Sequence, residues 1–116
     1  MTDAQYYAAA YIITLIHPEQ FRKGFADWLW DNLAIQRGLD QEALNIAAQG
    51  RTHYSAHTII EYLRHHTLLA DKNGEFKINE KYSSSMARMF AHMNPKHADL
   101  FEFRVHPHAR VGALQL

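Results

Sequence analysis

The chain has no cysteine, only three prolines and five glycines in 116 residues, and no surplus of charge, with twelve Lys/Arg against twelve Asp/Glu. Without cysteine there is no disulfide, no thiol nucleophile and no Cys-based zinc site, a composition suited to a reducing cytoplasm. No apolar run reaches the roughly 18–20 residues of a membrane span. The longest, residues 6–16, lacks the basic flank and small-residue cleavage site of a secretory signal. There is no Gly-rich phosphate loop, nucleophile elbow or paired-carboxylate pattern, so the expectation is a non-enzymatic protein without a cofactor.

What is present is an ordinary globular composition, 47% hydrophobic, 12% aromatic and 21% charged, sized for one domain with one core. The neutral total hides an asymmetry. Residues 1–50 carry three Lys/Arg against six Asp/Glu, a balance of −3. Residues 51–116 carry nine against six, a balance of +3, with eight of the nine histidines. A basic, His-rich second half can approach a polyanion by one face.

The local pattern predicts mainly helix. Thr2 or Asp3 caps a first helix through His17, which Pro18 ends. Tyr6, Tyr7, Ala10, Tyr11, Ile13 and Ile16 cover more than one stripe of that helix, so it needs more than one neighbour. The alternatives are burial in the domain's own core and packing on a second copy as a homodimer.

Pro18 opens a second helix to about Gln36 or Arg37, with Phe21, Phe25, Trp28, Leu29, Asn32 and Leu33 on one face. Trp30 lies off that stripe, either a second contact surface or a partly exposed ring. Gly38 closes the second helix and Asp40 opens the next, which stops at Gly50. Arg51–Tyr54 form a corner and Ser55 caps a helix from Ala56 to His66. On that helix Ala56, Ile59, Ile60, Leu63 and Thr67 face inward; His57, Thr58, Glu61, Arg64 and His65 face out, with Tyr62 at the boundary. Leu68–Ala70 and Phe76–Asn79 flank Asn73-Gly74, a strong hairpin signal because both turn residues accept positive φ. A helix then follows, with Ser83, Ser84 or Ser85 as cap and Met86, Met89, Phe90 and Met93 as its stripe. Asn94-Pro95 breaks it and starts a short helix to about Phe103.

Helix, corner, helix and β-hairpin in this order make a winged helix-turn-helix layout, so the expected fold is mainly α with a two-stranded wing. The single domain divides into an extra N-terminal helix (1–17), the winged core (18–103) and a tail (104–116). Such a domain grips double-stranded DNA. Arg51, Lys72 and Lys77 are then phosphate contacts, and His57, Thr58, Glu61, Arg64 and His65 face base edges. The rival is a module that binds a protein through Tyr6, Tyr7, Tyr11 and Trp30, since interfaces favour large aromatic side chains. His53 and His57 are four apart, but His53 lies in the corner before its helix and a zinc site needs three or four converging ligands, so no metal is expected.

Residues 25–103 resemble a group of small phage- and prophage-encoded proteins without an assigned activity. The cues are His53-Tyr54-Ser55, Tyr62-Leu63-Arg64-His65, Gly74-Glu75-Phe76-Lys77-Ile78-Asn79, Tyr82, Ala87-Arg88 and Asp99-Leu100-Phe101-Glu102-Phe103-Arg104. The resemblance implies a phage setting, for either a DNA-binding regulator or a protein that disables a host factor. It supplies no site residues.

Overall fold

A computed structural model describes residues 1–66 and 80–101 of the chain. Among them are five α-helices: α1 (Asp3–Ile16), α2 (Phe25–Asp31), α3 (Leu33–Ala48), α4 (Ala56–His66) and α5 (Glu80–Met93). Single 3-10 turns lie at Pro18–Gln20 and Pro95–His97.

The start of α1 is a reciprocal cap. The Gln5 amide N–H donates to Thr2 Oγ1 at 3.1 Å while Thr2 N–H donates to Gln5 Oε1 at 2.8 Å. Two otherwise orphaned donors are satisfied, with Thr2 and not Asp3 as the cap. The expected second helix is broken twice. Pro18 starts only a 3-10 turn, and α2 begins after Gly24, whose φ of 89° is left-handed. Asn32 then bends its own backbone, donating its side-chain amide to Trp28 O at 2.9 Å, the local competition with helix expected of Asn.

α3 runs unbroken through Gly38, which was expected to end a helix. A helical glycine costs about 1 kcal/mol relative to alanine. That is outweighed by complete burial of Ile35, Leu39 and Ala43 on the helix's inner face. Asp40, expected as a cap, lies mid-helix on this face. α4 has the expected bounds, with Thr58 N–H donating to Ser55 Oγ at 3.3 Å. Its Ile59, Ile60 and Leu63 enter the core. α5 begins at Glu80, so the three serines lie inside the helix and do not cap it. Ser85 is buried and accepts from Arg22 N–H at 2.9 Å. Met86, Met89 and Phe90 form its fully buried stripe, and α5 packs on α1, α3 and α4.

The winged helix-turn-helix expectation is overturned. The described residues contain no β-strand, and their β-type contact is an isolated parallel bridge between Tyr54 and Phe101. The expected tight corner is residues 49–55 of an extended connection, tied to a distant segment by Tyr54 N–H donating to Leu100 O at 2.8 Å. The expected last helix is a single 3-10 turn, after which Leu100 and Phe101 enter the core. The hairpin residues 68–79, including Lys72 and Lys77, and the tail 104–116 lie outside the described residues. The described fold is all-helical, and no helix in it is long and apolar enough to cross a membrane.

Candidate functional site

Two outward surfaces and one buried polar cluster stand apart from the plain core. The first surface is the polar side of α4. His57, Thr58, Arg64 and His65 are exposed, as the 3.6-residue period requires once Ile59, Ile60 and Leu63 turn inward. Glu61 is the hub of this face. Its carboxylate lies 3.3 Å from Arg64 Nη1, 3.4 Å from His65 Nε2 and 4.0 Å from His57 Nε2. One carboxylate therefore offsets the permanent cation of Arg64, and such exposed pairs contribute about 0–1 kcal/mol each. Arg51 is not on this helix. It lies in the connection before it, with its guanidinium 5.2 Å from the centre of the Tyr54 ring. Five of the eight residues expected to contact DNA thus share α4, Arg51 stands apart, and Lys72 and Lys77 are not described.

The second surface is apolar. Tyr7 packs edge-on against Trp30 at 4.8 Å and stacks with Tyr11 at 6.1 Å, so α1 and α2 form one aromatic strip. Tyr11 is 45% exposed, Ile12 54%, Leu15 62%, Ile16 64% and Trp30 67%. On α1 the pairs 11/15 and 12/16 are adjacent i, i+4 rows, so these side chains are contiguous. They leave on the order of 500 Å² of mostly apolar surface facing outward, near the upper end for a monomeric protein. Two acids rim the strip. Asp27 is one helical turn before Trp30 and Asp31 directly follows it, and both are exposed. The Tyr7 hydroxyl is held above its ordinary pKa by burial first, then by the charges of Asp27, Tyr11 and Asp31. Sequence reasoning found Tyr7, Tyr11, Ile16 and Trp30 but did not single out Ile12 or Leu15. Ile16 points out, beside Ile12 and Leu15.

Tyr6, grouped with that surface by its residue type, belongs to the core. Its hydroxyl donates to Asp40 Oδ2, and Gln36 Nε2 donates to Asp40 Oδ1 at 2.9 Å and to Met86 O at 3.1 Å. Burial is the main influence on Asp40 and raises its pKa from 3.8 to about 6, against the opposing pull of Tyr6, Gln36 and Arg37. Tyr6 is pushed well above the usual tyrosine range by burial and by Asp40. Arg37 lies over the Tyr6 ring at 5.2 Å and pairs with Asp3 at 2.6 Å. The sequence signal was available: Gln36 and Asp40 share the face of Ile35, Leu39 and Ala43, placing two polar groups on an apolar stripe.

His17 and His92 stack at 4.8 Å where α1 and α5 end, and Gln20 Oε1 sits 2.7 Å from His92 Nε2. Among the described residues no group of three or more His, Cys, Asp or Glu side chains converges as a metal site would. No family model matches the chain, no curated protein matches it, and no solved structure matches its fold.

Proposed function

We propose that this chain is a non-catalytic protein-interaction module, docking through the outer face of α1 and Trp30 onto a basic amphipathic helix of another protein. The observation that carries the proposal is the contiguous exposure of Tyr11, Ile12, Leu15, Ile16 and Trp30, when the other exposed large apolar residues among those described, Met1 and Tyr62, stand singly. Single exposed apolar residues are normal in soluble proteins, whereas a joined patch of this size marks a contact surface.

Charge selects the partner. Neither α1 nor α2 contains a Lys or Arg, while Asp27 and Asp31 border the patch. A second copy would bring the same acids and no cation from these two helices to meet them. A partner with Lys or Arg flanking an apolar stripe complements both features. Area points the same way, because about 500 Å² falls short of the roughly 800 Å² per partner of a standard interface and suits one docked helix. Covering it yields a gross gain on the order of 10 kcal/mol, against association costs of about 4–15 kcal/mol, so the charged rim decides whether binding is measurable. The phage resemblance fits a module aimed at a host factor, and the cysteine-free composition fits a cytoplasmic setting.

Two amphipathic helical peptides with the same apolar face, one flanked by lysines and one by glutamates, test this by tryptophan emission. The lysine peptide should bind and the glutamate peptide should not, with Trp30→Ala and Leu15→Glu abolishing the response. Equal binding of both peptides, or of neither, would refute the proposal. Sedimentation showing a dimer that Leu15→Glu dissolves would assign the face to a second copy instead.

A second reading, contact with duplex DNA through α4, is favoured by the joint exposure of His57, Thr58, Arg64 and His65. On that reading Glu61→Gln removes the carboxylate paired with Arg64 and strengthens duplex retention at low salt, while Arg64→Ala flattens its salt dependence. Absence of any duplex binding at low salt ends it.

A further inference from the structure

A cleft of about 350 Å³ opens between the end of α3, residues 51–53 and residues 96–100. Arg51, Thr52, His53, Lys96, His97 and Asp99 supply its polar lining. Two of these are permanent cations, two are imidazoles and one is a hydroxyl, against a single carboxylate. On α4, by contrast, the carboxylate of Glu61 sits among Arg64, His57 and His65. In the cleft the cationic donors are collected in a concavity.

The fold holds the two walls together. The Tyr54–Phe101 bridge and the 2.8 Å bond from Tyr54 N–H to Leu100 O join the connection before α4 to the segment after α5. The guanidinium of Arg51 rests 5.2 Å from the centre of the Tyr54 ring, on the residue that makes this bridge. The opposite wall is shaped by the 3-10 turn, in which His97 N–H donates to Asn94 O at 2.8 Å and Leu100 N–H donates to His97 O at 3.0 Å. Lys96 and His97 are therefore presented by hydrogen-bonded backbone.

We propose that this cleft binds a phosphomonoester of a small organic molecule. Several donors of different geometry around one space suit a tetrahedral, doubly charged group better than a planar carboxylate. Arginine supplies a planar fork and lysine a point charge, the two cations most used for phosphate. The volume lies at the lower end of the roughly 300–1,000 Å³ range of small-molecule sites, so a compact organic body accompanies the phosphate. Ala47 and Leu100 give that body an apolar wall. The cleft shares no lining residue with the α1–Trp30 surface, so each proposal stands or falls without the other.

Titration calorimetry of the intact chain at low salt tests it, with inorganic phosphate, a nucleoside 5′-monophosphate and the matching unphosphorylated nucleoside as probes. The monophosphate should bind one to one and more tightly than inorganic phosphate, and the nucleoside should give no heat. Arg51→Ala and Lys96→Ala should each weaken binding by roughly tenfold or more, as expected for loss of a charge-assisted contact. Arg64→Ala, outside the cleft, should leave the affinity unchanged. Circular dichroism melting of each variant keeps loss of binding separate from loss of fold. No heat with the monophosphate, equal binding of the nucleoside, or affinity indifferent to Arg51 and Lys96 in folded variants would overturn the assignment.

Discussion

Replacing Asp40 by asparagine should make the protein more stable at neutral pH and less stable in acid. The Asp40 carboxyl is buried under α1, with a pKa raised from 3.8 to about 6 chiefly by that burial. Because the folded-state value exceeds the unfolded one, the folded chain holds the extra proton between them. The stability from this group is fully present below about pH 4 and is lost as pH rises through about 6. A rise of roughly two pH units at about 1.4 kcal/mol each amounts to roughly 3 kcal/mol by neutral pH.

Asparagine carries no such charge, and its oxygen can still accept from Tyr6. Its amide nitrogen, however, meets Gln36 Nε2, which already donates to Asp40 Oδ1 and Met86 O. Turning the Gln36 amide over would give its oxygen, which has no partner among the described residues, a donor, but would forfeit the bond to Met86. That rearrangement costs about 1 kcal/mol. The variant should therefore be more stable by about 2 kcal/mol near pH 7 and less stable by about 1 kcal/mol near pH 4. Urea denaturation of both proteins across that range measures it. His92, whose imidazole is pushed below its ordinary pKa by burial and then by His17, pulls stability the opposite way with pH. The difference between the two proteins cancels it. Parallel stability curves would refute the reasoning about Asp40.

Tyr6→Phe leaves Asp40 without one donor and should cost roughly 2–3 kcal/mol in urea denaturation near pH 7, and less near pH 4 where the carboxyl is protonated. Gly24→Ala should destabilise by about 1–2 kcal/mol, since φ is 89° and an added Cβ would lie 3.1 Å from the Tyr82 hydroxyl. At Gly50, where φ is 86° and the space is open, the same change should cost only about 1 kcal/mol in thermal melts. Leu15→Glu and Trp30→Ala, on the exposed face, should shift stability by no more than about 0.5 kcal/mol.

Local signals were readable where short-range chemistry decides. Thr2, one of two offered caps, marked the start of α1, Ser55 the start of α4, and the spacing of Met86, Met89 and Phe90 the buried side of α5. They misled where packing outweighs propensity. Gly38 looked like a stop and Asp40 like a cap, but burial of Ile35, Leu39 and Ala43 carries α3 through both. The serines of α5 looked like a helix start because Ser is a good cap, yet Ser85 is used inside the helix to accept from Arg22. The run Asp40 to Asn79 imitated a winged helix because a helix–loop–helix pattern says nothing of what its connection touches. The Tyr54–Phe101 bridge makes that connection part of a cleft instead. No periodicity brings residues 51–53 and 96–97 together, and none reveals that Ile12, Leu15 and Ile16 lack a cover.

The most direct test of that uncovered face is photo-crosslinking in the protein's native cells from a benzoyl-phenylalanine placed at position 12. A discrete adduct with another protein, mapped to a segment combining apolar residues with Lys or Arg and lost on Leu15→Glu, is the predicted result. An adduct with a second copy of the chain, or none at all, would contradict it.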